Sequence, residues 1–208
     1  MRNLIISLLL SLCASTAWGA KASWITAADD SVNRPNTWIA FQKDVVMKTK
    51  PRSLKARIAC DSKYWLWVNG NLVVFEGSLK RGPAPGEGYY DEIDLGRHLQ
   101  RGHNRVAVLV CYFGRSGFSH EDSGKSGLYI DSDNAELCTN ASWMSRIHPA
   151  YATATGEMPN FRLSESNISY DARHAIDGWQ TADVSAKYGF APADGTRARG
   201  DRSWGKMT

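Results

Sequence analysis

Residues 63–70 alternate apolar and polar-or-bulky positions and then stop at an Asn-Gly pair, which leaves little but a β-hairpin open to this stretch. Tyr64, Leu66 and Val68 alternate with Lys63, Trp65 and Trp67 before Asn69-Gly70. A period of two sends successive side chains to opposite faces of a strand. Asn-Gly accepts positive φ at both centres of a two-residue turn better than other pairs do. Residues 72–75 then return as the partner strand. The hairpin sends Tyr64, Leu66 and Val68 to one side and the two tryptophans to the other.

The same period recurs upstream, where Leu54, Ala56, Ile58 and Cys60 alternate with Ser53, Lys55 and Arg57. This is a strand with one face buried and one wet. Residues 106–113 are almost wholly apolar, as suits a central strand covered on both faces. Residues 38–47 read as a first long strand, 89–95 as another with Ile93 and Leu95 inward, and 128–130 as the start of one more. Between them lie a Gly/Pro-rich loop at 81–88, a turn at 98–102 with a single helical turn under Leu99, and a polar loop at 114–127. No helical period lasts the dozen residues a helix needs. The expected fold is all-β: an antiparallel β-sandwich or jelly roll over residues 20–135. Residues 136–188 are an irregular extension with strands expected at 141–147 and 167–170. Residues 189–208 are polar and expected to be poorly ordered, and the chain reads as truncated there.

Arg2, the apolar residues 4–12, and Ala17 and Gly19 before Ala20 form a signal-peptide pattern over residues 1–19. The apolar run is far shorter than the roughly 20 residues of a membrane span, and Leu12 is too bulky for a lipid anchor at Cys13. The mature chain is expected to be secreted or periplasmic, with no membrane span. Cys60, Cys111 and Cys138 then allow at most one bridge. They match no zinc spacing, and buried structural cysteines are the better reading. The net charge of +4 is scattered rather than gathered into a basic stripe, which argues against nucleic acid.

Catalytic signatures are missing. There is no phosphate-binding glycine loop and no serine elbow. Asp91 with Glu92 and Asp29 with Asp30 are adjacent pairs, whose side chains diverge on a strand.

Three strings follow one another in order: Tyr64-x-Leu66-x-Val68-Asn69-Gly70, Tyr89-Tyr90-Asp91-Glu92-Ile93-Asp94-Leu95, and Gly102-His103-Asn104-Arg105-Val106-Ala107-Val108. Their order resembles the galactose-binding-like jelly roll at the front of many glycoside hydrolases. Tyr112-Phe113-Gly114, Gly117-Phe118-Ser119-His120, Ser123-Gly124-Lys125-Ser126-Gly127-Leu128, Pro159-Asn160-Phe161-Arg162-Leu163-Ser164-Glu165 and Tyr170-Asp171-Ala172-Arg173 narrow it. Together they resemble the N-terminal region of bacterial α-L-rhamnosidases of glycoside hydrolase family 78, over roughly residues 24–185.

The resemblance implies an accessory domain beside an inverting catalytic (α/α) barrel, whose two carboxylates stand about 6.5–9.5 Å apart. That barrel is not part of this sequence, so no catalytic residue is assigned here. The implied partners are the barrel and rhamnose-containing glycans. A free-standing carbohydrate-binding or surface-interaction module is the alternative.

The candidate sugar contacts are Trp65 and Trp67, on one strand face, and Arg81, Glu87, Tyr89, Arg115 and His120, on the loops 81–90 and 115–125. The tryptophans either stack on a sugar ring or pack beneath another part of the protein, and packing is the favoured reading. His120, Glu121 and Asp122 invite a metal reading, but consecutive loop residues rarely converge on one ion. No side-chain metal site or cofactor is expected, although a structural calcium held by backbone carbonyls fits sandwiches of this kind.

Overall fold

The computed structural model describes residues 22–78, 89–118, 120–152 and 164–198. The signal-peptide pattern, Arg81, Glu87 and residues 199–208 lie outside them. Nine strands occur among the described residues: β1 (Thr37–Met47), β2 (Lys55–Asp61), β3 (Lys63–Val68), β4 (Asn71–Ser78), β5 (Asp91–Asp94), β6 (Gly102–Tyr112), β7 (Gly127–Ser132), β8 (Met144–Ile147) and β9 (Ala191–Pro192). They form a six-stranded sheet ordered β4-β3-β6-β1-β8-β9 and a three-stranded sheet ordered β5-β2-β7. Every pairing is antiparallel. The all-β sandwich expected from the sequence is the fold.

The hairpin turn is where the Asn-Gly pair placed it, with φ of 53° at Asn69 and 79° at Gly70. Both values are positive, as the two-residue turn requires. The alternation then sorts side chains into layers. Tyr64, Leu66 and Val68 join Ile39, Phe41, Val106, Val108 and Val110 on the inner face of the large sheet. They meet Ala56, Ile58, Cys60, Leu128 and Ile130 of the small sheet. Each fully buried Val, Leu, Ile or Phe contributes about 1.5–3 kcal/mol relative to exposure, so this layer dominates the stability of the sandwich.

Strand β6 is buried on both faces, as its apolar run implied. Ala107, Leu109 and Cys111 point outward beside Trp38, Ala40 and Trp65. That outer face is covered by Ile176, Trp179 and Phe190, so the C-terminal segment forms a third layer. The sequence expectation for this segment needs correcting in two places. Residues 189–198 are not merely polar tail, because Phe190, Ala193 and Ala198 are buried and β9 extends the large sheet. The strand expected at 167–170 reduces to one bridge between Tyr151 and Tyr170. Strand β8 starts three residues later than expected because the Asn140 side chain accepts from the Ser142 backbone N–H at 2.8 Å, closing a local turn in place of a ladder.

Cys60, Cys111 and Cys138 are all buried, in keeping with structural cysteines. Burial pushes the thiols of Cys60 and Cys111 well up, since an apolar setting disfavours the thiolate.

Candidate functional site

The outer face of the large sheet carries an aromatic cluster. Trp65 is 9% exposed and stacks on Trp38, with ring centroids 5.4 Å apart and planes at 23°. Trp38 also stacks on Tyr151 at 4.1 Å and 9°. Trp67 is half-buried and meets Trp179 edge-on at 5.6 Å. Lys63 is buried beside this cluster, its ammonium 5.1 Å from the Trp65 ring and paired with Glu76 and Glu165. The aromatic rings are therefore largely engaged with one another and with the covering segment. His148, beneath the same cover, is held near a pKa of about 4, chiefly because burial disfavours its charged form and secondarily because Arg146 is near.

A polar cleft opens where β1, β6 and the 181–185 segment meet. Arg105 is buried, donates to Gln42 and pairs with Asp44. Around it a cleft of about 410 Å³ is lined by Asp44, Asn69, Asn104, Arg105, Thr181 and Asp183, among others. Two of these are fixed by the fold. Asn69 donates to Asn104 Oδ1 at 2.9 Å and accepts from the Arg105 backbone N–H at 2.9 Å. Rigid planar amides, carboxylates and a guanidinium are the groups that can hydrogen-bond neighbouring hydroxyls on a polyol.

The third site is the loop between β6 and β7. His120 is 7% exposed, and its Nε2 lies 3.3 Å from Oδ1 of the fully buried Asp61. Asp122 joins them, the three side chains offering ligand atoms within 4.8 Å of one another. Burial, then the charge of Asp61, raises the Asp122 carboxyl above its ordinary value. Asp61 and Asp122 stand too close for an inverting pair, whose carboxylates leave room for water, and Asp61 is out of reach of solvent.

The sequence-selected residues thus part company. Trp65 and Trp67 share one face, whereas Tyr89 is an exposed residue just before β5. Arg115 is half-buried, with its Nε making no hydrogen bond among the described residues. His120 points into the protein toward Asp61. Sequence reasoning considered three consecutive residues at 120–122, but Glu121 is exposed and only its two neighbours converge, on a residue from another strand. Asp61 was missed. Its only signal was a charged residue ending the apolar run 58–60. Asp44, Arg105 and Asp183 were missed as well, being far apart in sequence and unremarkable in spacing.

No protein-family model matches the chain, and no curated protein matches it by sequence. Solved structures do. A GH78 family rhamnosidase of Bacillus sp. GL1 is similar at 27% identity and a TM-score of 0.70, over 91% of this chain and 20% of that one. An α-L-rhamnosidase from Dictyoglumus thermophilum (18%, TM-score 0.62) is matched over 88% of this chain and 21% of its own. One from Aspergillus terreus (19%, 0.61) is matched over 84% and 21%. The latter two share the fold. The chain spans about a fifth of the length of these proteins, and the likeness to α-L-rhamnosidases read from the ordered strings is borne out.

Proposed function

We propose that this chain is the accessory, non-catalytic sandwich region of an exported α-L-rhamnosidase-like glycoside hydrolase acting on rhamnose-containing glycans. The observation that carries the reading is the match to the Bacillus rhamnosidase, which joins 27% identity to a TM-score of 0.70 over 91% of the chain. The physical role is to shield and orient a catalytic domain, with weak sugar contact in addition. Two features of the geometry support sugar contact. The cleft at Asp44, Arg105 and Asp183 offers charged planar groups at an open surface, and Tyr89 and Arg115 stand on loops flanking the small sheet. Trp65 and Trp67 are better suited to holding the third layer than to stacking on a ligand.

Isothermal titration of the purified chain with rhamnose and rhamnosylated oligosaccharides, with hydrolysis assayed in the same samples, tests this. Saturable binding without turnover is the expected result. Absence of both removes the sugar contact and leaves the orienting role alone. Turnover by this chain overturns the proposal.

A further inference from the structure

The cluster on the β6–β7 loop has no part in the function proposed above, and it contains polar atoms without a hydrogen-bond partner among the described residues. Asp61 ends β2 with 0% exposure, and His120 and Asp122 reach it from the loop. The Nε2 atom of His120 is buried and makes no hydrogen bond among the described residues, and neither does Oδ1 of Asp122. Nε2 nevertheless lies 3.3 Å from Asp61 Oδ1, longer than the roughly 2.7–2.9 Å of a charge-assisted bond. Nε2 of His120 therefore faces a carboxylate oxygen of Asp61, with Asp122 completing a group whose ligand atoms lie within 4.8 Å of one another.

The spacing identifies what that group would accept. Nitrogen and carboxylate oxygen bind zinc tetrahedrally at about 2.0–2.2 Å, which sets neighbouring ligand atoms roughly 3.3–3.6 Å apart. The His120–Asp61 separation of 3.3 Å lies at the lower end of that interval. All three ligand atoms lie within 4.8 Å of one another, and Asp122 sits on the loop rather than on a strand.

We propose that Asp61, His120 and Asp122 form a binding site for one divalent first-row transition-metal ion. One imidazole with two carboxylates suits zinc or manganese, whereas calcium takes six to eight oxygens and gains nothing from a histidine. The surrounding hydrogen bonds hold the ligands as such a site requires. Ser62 Oγ donates to Asp61 Oδ1 at 3.0 Å and accepts from the Phe113 N–H at 3.1 Å. The Ser123 N–H donates to Asp61 Oδ2 at 3.3 Å, and Ser116 Oγ accepts from the Asp122 N–H at 3.0 Å. Phe113 meets the His120 ring edge-on at 5.4 Å, fixing its plane. Bound there, the ion ties the 115–125 loop to the end of β2, and three protein ligands leave a position open to water.

The test is calorimetric titration of the EDTA-dialysed chain with Zn²⁺, paired with thermal unfolding with and without the ion. The expected result is one equivalent bound and a raised midpoint, with affinity falling at least about tenfold in His120→Gln and in Asp122→Asn. Asp122→Asn is nearly isosteric on a loop, so its metal-free midpoint shows whether the fold is intact should His120→Gln fail to fold. No stoichiometric binding, binding unchanged in Asp122→Asn, or binding of Ca²⁺ in preference to Zn²⁺ would each overturn the proposal.

Discussion

Trp65 stacks on Trp38 with centroids 5.4 Å apart and planes at 23°, so a residue that looks like a sugar platform on its strand is a structural joint between the large sheet and its third layer. Removing the ring leaves a cavity that Trp38 and Phe75 cannot fill, and a buried Trp→Ala change costs about 3–5 kcal/mol. Trp65→Ala is expected to lower the unfolding free energy measured in urea by that amount. A variant with the wild-type midpoint would show that the ring serves the surface instead.

Gly70 is a second joint. Its φ of 79° is one that an alanine reaches at a cost of roughly 1–2 kcal/mol, and an added Cβ would lie 2.5 Å from the Thr181 methyl. Gly70→Ala is expected to destabilise by about 2 kcal/mol in chemical denaturation. Equal stability would mean that the turn relaxes and that Thr181 gives way.

The two predictions differ in how much of them the sequence could have supplied. The turn was readable, because Asn69-Gly70 encodes its own backbone and the alternation around it assigns each side chain to a face. The cover over Trp65 was not. Ile176, Trp179 and Phe190 are single apolar residues in irregular chain, without a period to announce them, and β9 is two residues long. The cluster at His120 was half visible for a similar reason. Its loop residues stood together in the sequence, but Asp61 comes from the end of another strand, and only folding brings it near.

His148 makes stability depend on pH. Its pKa falls from 6.5 to about 4 on folding, mainly through burial, so between those values the unfolded chain binds the proton that the folded one refuses. Stability is then full above pH 6.5, declines as pH falls toward 4, and loses nothing further from this group below that. The total is about 3 kcal/mol. Urea midpoints measured from pH 7.5 down to pH 4 (about one unit beyond the window at the upper end) are expected to fall in the wild type and to fall less in His148→Asn. Parallel curves for the two proteins would exclude His148 as the source.

The edge strand β4 presents apolar surface that the described residues leave uncovered. Register shifts between Tyr64 and Leu66 and between Leu66 and Trp67 let Leu72 and Phe75, three residues apart, share the outer face with Trp67 and Trp65. Leu72 pairs with Trp67, and Phe75 meets Trp65 edge-on at 6.3 Å. They are 49% and 70% exposed, on a strand whose outer edge is free to pair among the described residues. Large apolar side chains on an open edge favour association, so the isolated chain is expected to self-associate in sedimentation velocity as concentration rises. Exposed positions tolerate polar replacement within about 0.5 kcal/mol. Leu72→Ser with Phe75→Ser should therefore shift the chain toward monomer while leaving its thermal midpoint nearly unchanged. A wild-type chain that stays monodisperse at every concentration would mean that this face needs no partner.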